Sequence, residues 1–278
     1  MSTDTLSADP FAAARRSVLG VTLHEAEDFE GMRRAGRLVA ELLDMIVPEV
    51  KPGATTAQLD KLAYEFTLDH GAEPACLGYR GYPFTLCTSI NHVVCHGMPN
   101  DKPLRDGDII NVDATVVLDG WYGDSSRMFP VGEVKRKALR LIDVTYESMM
   151  RGIAAIKPGA TTGDIGYAIQ SYAEGEEHCA VVRDFCGHGI GRVFHGQPNV
   201  VHYGKPGHGM GLKPGMFFTV EPMINLGNYG VKVLGDGWTA VTRDRSLSAQ
   251  FEHSVAVTED GVEIFTKSPK GYDKPPYL

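Results

Sequence analysis

One six-residue phrase occurs twice in this chain. Lys51-Pro52-Gly53-Ala54-Thr55-Thr56 is repeated without change as Lys157-Pro158-Gly159-Ala160-Thr161-Thr162, and two looser echoes follow in the same order. Val94-Cys95-His96-Gly97-Met98-Pro99 returns as Val193-Phe194-His195-Gly196-Gln197-Pro198. Leu104 to Asp113 returns as Leu212 to Glu221, which aligns Glu221 with Asp113. The offsets are 106, 99 and 108 residues. One such match is easily reached by chance, but three in order are not. The 278-residue chain is therefore expected to be a duplicated α+β unit, each half a helix pair with antiparallel strands. A site between the halves is the default expectation.

Local patterns fit this division. From His24 to about Val47, the residues Met32, Ala35, Val39, Leu42, Leu43 and Ile46 recur at helical spacing before Pro48. Thr55 with Gln58 has the form of a capping box for a second helix reaching His70, closed by Gly71. Arg136 to Ile156 reads as another amphipathic helix, with Leu139, Ile142, Tyr146, Met149, Ile153 and Ile156 on its apolar side. Between the helices, Ile109 to Leu118 and Trp121 to Phe129 flank Asp119-Gly120, a pair favoured in two-residue hairpin turns. That loop pairs Leu118 with Trp121, Asp113 with Ser126 and Thr115 with Asp124. Asn111, Asp113 and Thr115 then share a face, and Asp113 and Asp124 become diagonal neighbours about 7–8 Å apart at Cα. From the hairpin alone, a solvated acidic face is the more ordinary reading.

The second half changes that balance. Glu221 ends an apolar strand, and Glu252 lies in Ala249 to Val257, where Gln250, Glu252, Ser254 and Ala256 are expected to share a face. Between them runs FCGHGIGRVFHG, Phe185 to Gly196, carrying His188 and His195 among glycines that let backbone pass close to a site. Taken singly, each histidine is more often a hydrogen-bonded loop residue. Four carboxylates at the ends of core strands with one imidazole, however, suit two divalent cations about 3.5–4 Å apart. So many oxygen ligands favour Mn, Fe(II) or Co over a thiolate-type zinc site, with Zn left open.

Composition excludes several classes. Lys and Arg number 27 against 35 Asp and Glu, a net charge of −8 without clustered basic residues, so no nucleic-acid surface is expected. No apolar run approaches the roughly 18 residues of a membrane helix. The apolar stretch after Arg15-Arg16 is too short for a signal-peptide core, which points to the cytoplasm. Residues 1–22 are expected as a flexible N-terminal tail and residues 23–278 as a single catalytic domain of two homologous halves. Five cysteines without a CxxC pair fit reduced thiols.

Five ordered segments now carry a specific resemblance, covering roughly Leu23 to Thr258. NVDATVVLDGWYGDSSRMF, FCGHGIGRVFHGQPNV, GMFFTVEPMI and DRSLSAQFEHSVAVT, together with the Cys95-His96-Gly97 segment, resemble the type I methionine aminopeptidases of the pita-bread fold. The resemblance implies a pseudo-twofold, curved antiparallel sheet covered by two helix pairs. It implies two divalent ions held by Asp113, Asp124, His188, Glu221 and Glu252, with Asp113 and Glu252 bridging or bidentate. His96 would hydrogen-bond the substrate near the scissile amide, His195 would contact its carbonyl or tetrahedral intermediate, and Glu221 would shuttle a proton from water to the leaving amine. Cys76, Tyr79, Tyr82, Cys87, Phe194 and Trp238 would form the pocket for the methionine side chain, whose thioether suits rings and thiols. Asn91, Val93 and Ser248 resemble the family's monovalent-cation site. Arg80 departs from the family, which often has His at that position, and would lie at the pocket rim.

The implied activity is removal of the initiator methionine from nascent proteins and peptides with a small second residue. The implied setting is a monomer in the cytoplasm with transient ribosome contact and no membrane partner. Two other readings share the cradle. An X-Pro aminopeptidase or dipeptidase is one, but such enzymes usually carry a large N-terminal domain. A metal-free peptide-binding module is the other, but such modules typically lose ligands, and all five positions here hold Asp, Glu or His.

Overall fold

Two helix pairs lie against one long sheet. α1 (Ala26–Ile46) and α2 (Thr56–Asp69) belong to the first half, and α3 (Arg136–Ala154) and α4 (Thr162–Gln170) to the second. The computed structural model describes residues 20–277. Most of the expected tail, residues 1–19, lies outside the described residues, whereas Val21 is already buried in the core.

The apolar spacing of α1 is used as read: Met32, Ala35, Val39, Leu42, Leu43 and Ile46 are all buried. Each such Leu or Ile contributes about 1.5–3 kcal/mol by leaving water. In α3 one expectation fails. Leu139 is exposed, because the buried stripe passes through Ala138, Leu141, Ile142, Met149 and Ile153 instead. α4 continues into a wider π-type turn at Ser171–Glu176, which the sequence pattern did not signal. Each helix pair has its own core, one built with Ile110, Val112 and Val116 of the first half, the other with Phe218, Val220 and Val255 of the second.

The repeat is visible atom by atom. Thr55 and Thr161 both close capping boxes, with Gln58 and Asp164. Leu104 donates its N–H to Ala54 at 2.8 Å, and Leu212 donates to Ala160 at 2.7 Å. Gly107 donates to Val131 and Gly215 to Val257, both at 2.9 Å. The same turn therefore leads each half into its inner strand pair.

The nine-stranded antiparallel sheet runs in the order Glu73–Pro74, Ile109–Leu118, Trp121–Pro130, Glu252–Val257, Phe217–Val220, Gly187–Gly189, Gly196–Val200. Leu86–Ile90 also pairs with Ile109–Leu118, and Val262–Ile264 with Glu252–Val257. The halves meet at the seam between Trp121–Pro130 and Glu252–Val257. The hairpin register is the expected one, with Leu118 on Trp121, Asp113 on Ser126 and Thr115 on Asp124. Asp119 (φ 51°) and Gly120 (φ 76°) are both left-handed, as a type I′ turn requires.

Ala249 to Val257 is not the single strand expected. Phe251 interrupts it by turning into the second core against Tyr146, and the chain changes sheets there. Ser248–Gln250 pairs with Met223–Asn225, whereas Glu252–Val257 joins the large sheet. All five cysteines are free. Among the described residues, no helix is long and apolar enough to cross a membrane.

Candidate metal centre

Sheet register, rather than proximity in sequence, collects the acidic residues. Asp113 pairs with Ser126, and Ser126 pairs across the seam with Glu252. Val220 pairs with His253, so Glu221 reaches the level of Glu252 one step further on. Opposed residues of an antiparallel ladder share a face, so these residues form one row with the small Ser126 inside it. Asp124, two residues from Ser126, points the same way. Thr115 Oγ1 donates to Asp124 Oδ1 at 2.7 Å.

His188 comes from the edge strand Gly187–Gly189, which lies close to its neighbours. A Cβ on Gly187 would collide with the Thr219 carbonyl oxygen, and one on Gly189 with that of Gln197. The His188 backbone N–H donates to Thr219 Oγ1 at 3.0 Å, and that hydroxyl donates to Glu221 Oε1 at 2.7 Å. His188 Nε2 stands 3.6 Å from both Asp124 Oδ2 and Glu221 Oε1. That is too long for a hydrogen bond. It is close to the ~3–3.5 Å between ligand atoms that each sit about 2.1 Å from a shared ion. Asp124, His188 and Glu252 each offer a ligand atom within 4.8 Å of the others.

Electrostatics give the row its character. Burial pushes Asp124 up from 3.8 to about 7, against hydrogen bonds from Thr115 and the Ser125 N–H. Burial and the Asp124 charge raise Asp113 well above the usual carboxylate range. Burial, then the neighbouring carboxylates, do the same for Glu221 and Glu252. Burial lowers His188 to about 4. No Lys or Arg of the described residues forms an ion pair with any of the four acids. Buried carboxylates that repel one another and lack a cationic side chain either keep their protons or take a positive partner of another kind. With an imidazole added, this donor set fits divalent cations.

The row opens into a cavity of about 360 Å³, and every residue expected at the substrate pocket lines it. Cys76, Tyr82, Cys87 and Phe194 are buried together, with Tyr79 and Trp238 packed on them. The Tyr82 hydroxyl donates to the Leu86 carbonyl at 2.9 Å, which holds the ring at the pocket wall. The repeat-related histidines have different surroundings. His96 meets Phe185 and Trp238 edge-on, with ring centroids 5.4 and 6.1 Å away. His195 packs against His188 at 4.2 Å and stacks on Tyr79 at 5.1 Å. Burial lowers His96, and burial with His188, Arg80 and His96 lowers His195 to about 3. Arg80 is exposed at the rim, over the Tyr79 ring.

Away from this cavity, the Ser248 N–H donates to the Asn91 carbonyl at 2.8 Å, and Val93 pairs with Val241. The Asn91 side chain is engaged by Asp108 and the Ile109 N–H, while Ser248 Oγ is buried without a hydrogen-bond partner among the described residues.

Several residues around the site are not among those the sequence assigned a role. Thr219 bridges His188 to Glu221, and Gln250 Nε2 lies 3.4 Å from Glu221 Oε2. The wholly buried His202 accepts the Glu221 backbone N–H on Nε2 at 3.1 Å. Thr219 and Gln250 could have been noticed from their alternation with Glu221 and Glu252. His202, in an irregular stretch, offered no period to read.

Residues 30–259 match the model of metallopeptidase family M24. The chain belongs to that family. Within the family, it is 60% identical over 258 residues to a methionine aminopeptidase of Rickettsia prowazekii, covering 92% of this chain and 99% of that protein. The crystal structure of methionine aminopeptidase from Rickettsia prowazekii superimposes with a TM-score of 0.88, covering 88% of this chain and 99% of that one. An Xaa-Pro dipeptidase from Bacillus anthracis superimposes at 0.70 with 22% identity, covering 89% of this chain and 62% of that one. That last likeness shows the shared fold alone.

Proposed function

We propose that this protein removes the N-terminal methionine from nascent proteins and peptides whose second residue is small, using two divalent cations held by Asp113, Asp124, His188, Glu221 and Glu252. One observation carries the reading: the acidic row and the thiol-and-ring pocket are two walls of the same cavity. The 60% identity to a methionine aminopeptidase supports it. When bound, divalent cations supply the Lewis acidity that polarises an amide carbonyl and acidifies water.

The chain's own residues do the rest. Cys76, Tyr82, Cys87, Phe194 and Trp238 take the methionine side chain, whose polarizable thioether suits rings and thiols. His96 and His195, both held neutral near pH 7 by burial, each offer one N–H donor and one acceptor to the substrate amide. Glu221 takes a proton from the attacking water and returns it to the leaving amine. Its carboxylate is held for this by Thr219, and its backbone by His202. The identity of the ions (Fe(II), Mn, Co or Zn) is left to assay, as is a monovalent cation at Asn91, Val93 and Ser248. Cytoplasmic action as a monomer with transient ribosome contact belongs to the same proposal.

The test is an assay of Mn- or Co-reconstituted protein on Met-Ala-Ser and on X-Pro dipeptides. Methionine release should exceed X-Pro cleavage by about a hundredfold or more. Faster X-Pro turnover would overturn the reading.

A further inference from the structure

Every carboxylate of the site faces this one cavity, beside its rings and thiols. Asp113, Asp124, Asp184, Glu221 and Glu252 line it, and among the described residues Arg80 is the one Lys or Arg that does. The Arg80 guanidinium is exposed and lies over the Tyr79 ring, its Cζ 5.3 Å from the centroid. No described carboxylate forms an ion pair with it, although Asp184 lines the same cavity. Arg80 has a left-handed backbone (φ 48°, ψ 27°) in a tight turn between Gly78 and Gly81. It is therefore a placed cation at the mouth of an acidic cavity, with its donors unused.

Distance indicates what would meet it. Tyr79 stacks on His195 with centroids 5.1 Å apart and carries Arg80 Cζ 5.3 Å from its own centroid, so the guanidinium lies at most about 10 Å from the His195 ring. An extended peptide advances about 3.3–3.6 Å per residue, so roughly three residues cover that span. With the methionine side chain in the inner pocket and the bond after it at the acidic row, the second to fourth residues would come within that reach, and the proposed activity already requires the second to be small. A planar guanidinium with free donors matches a carboxylate.

Resting on the proposed methionine-removing activity, we infer that Arg80 is a specificity-determining residue that favours substrates with an acidic side chain at the third or fourth position. Such contacts act on binding rather than on the reacting bond, so the effect falls on KM. The pair is solvent-exposed, which limits the preference to about three- to fivefold and makes it fall with salt.

The experiment uses metal-reconstituted full-length protein and C-terminally amidated tetrapeptides: Met-Ala-Glu-Gly, Met-Ala-Gln-Gly and Met-Ala-Lys-Gly, with the charge also moved to the fourth position. The readout is the ratio of kcat/KM between peptides within each protein, which is insensitive to differences in active fraction. Wild type should favour Glu over Gln by about three- to fivefold through KM, and the ratio should approach one as salt rises from about 0.05 to about 0.5 M. Arg80→Lys should retain part of the preference, Arg80→Gln should abolish it, and Arg80→Glu should turn it towards Lys. Equal turnover of the charged and neutral peptides by wild type would overturn the inference alone. So would a preference that survives Arg80→Gln. Failure to cleave any Met-Ala peptide would sink the peptidase reading and this inference with it.

Discussion

The two halves enter their inner strand pairs by the same turn and close them in different ways. In the first half, Asp119-Gly120 closes the pair in two residues. In the second, the chain leaves at Val220 and returns at Glu252, having built Met223–Asn225, Val231–Val233, Ala240–Thr242 and Ser248–Gln250 on the way. At the offsets that superpose the turns, Asp113 corresponds to Glu221, Ser126 to Glu252 and Asp124 to Gln250. Ser126 and Gln250 thus interrupt the acidic set, whereas Glu221 and Glu252 stand at the same level on neighbouring strands. The duplicated frame supplies aligned positions. The long second closure supplies Met223 and Trp238, while Cys76 to Cys87 and Phe185 to His195 reach the cavity from the segments that precede each strand pair.

The sharpest way to break this equivalence is to remove its paired acids one at a time. Asp113→Asn and Glu221→Gln should each lower methionine release from Met-Ala-Ser by at least about a thousandfold in Mn- or Co-loaded protein, since residues acting as one unit fail together. Near-normal turnover by Asp113→Asn would remove it from the proposed ligands.

A smaller effect tests Asp124, whose counterpart is the neutral Gln250. Its folded-state value is raised from 3.8 to about 7, so its contribution to stability is intact below about pH 4 and is lost as pH rises through about 7. In metal-free protein, Asp124→Asn should gain stability at about pH 8, up to roughly 4 kcal/mol, and gain none near pH 4. With metal present the order should reverse. Thermal unfolding at both pH values, with chelator and with Mn, is the check. A metal-free variant less stable than wild type at pH 8 would contradict the raised value.

The smallest effect is at the short closure. Gly120→Val forces a β-branched residue to φ 76° and should cost about 1–2 kcal/mol by denaturant unfolding. An unchanged midpoint would mean that the turn does not hold the register.

Sequence legibility follows the same contrast. The hairpin register was readable because a two-residue loop leaves one pairing, and a one-residue slip would turn Asp113 away from the cavity. The Thr55–Gln58 capping box and the α1 stripe were readable because they are local. The break at Phe251 was not, since alternation continues through it and only the depth of the second core explains why that ring turns inward. Leu139 was misjudged because its neighbour Ala138 carries the buried stripe, and a small residue leaves a weak periodic signal. His202 beneath Glu221 belongs to the same class: its role depends on a backbone N–H brought to it from 19 residues away.

The seam also sets an order in time. A chain growing from its N-terminus emits Asp113 and Asp124 well over a hundred residues before Glu252, and His188 falls between them. Until Glu252 pairs with Ser126, the row holds only the acids of the first half. A cation held by the five proposed ligands would therefore need nearly the whole chain in place, so loading with metal would report that both halves have met.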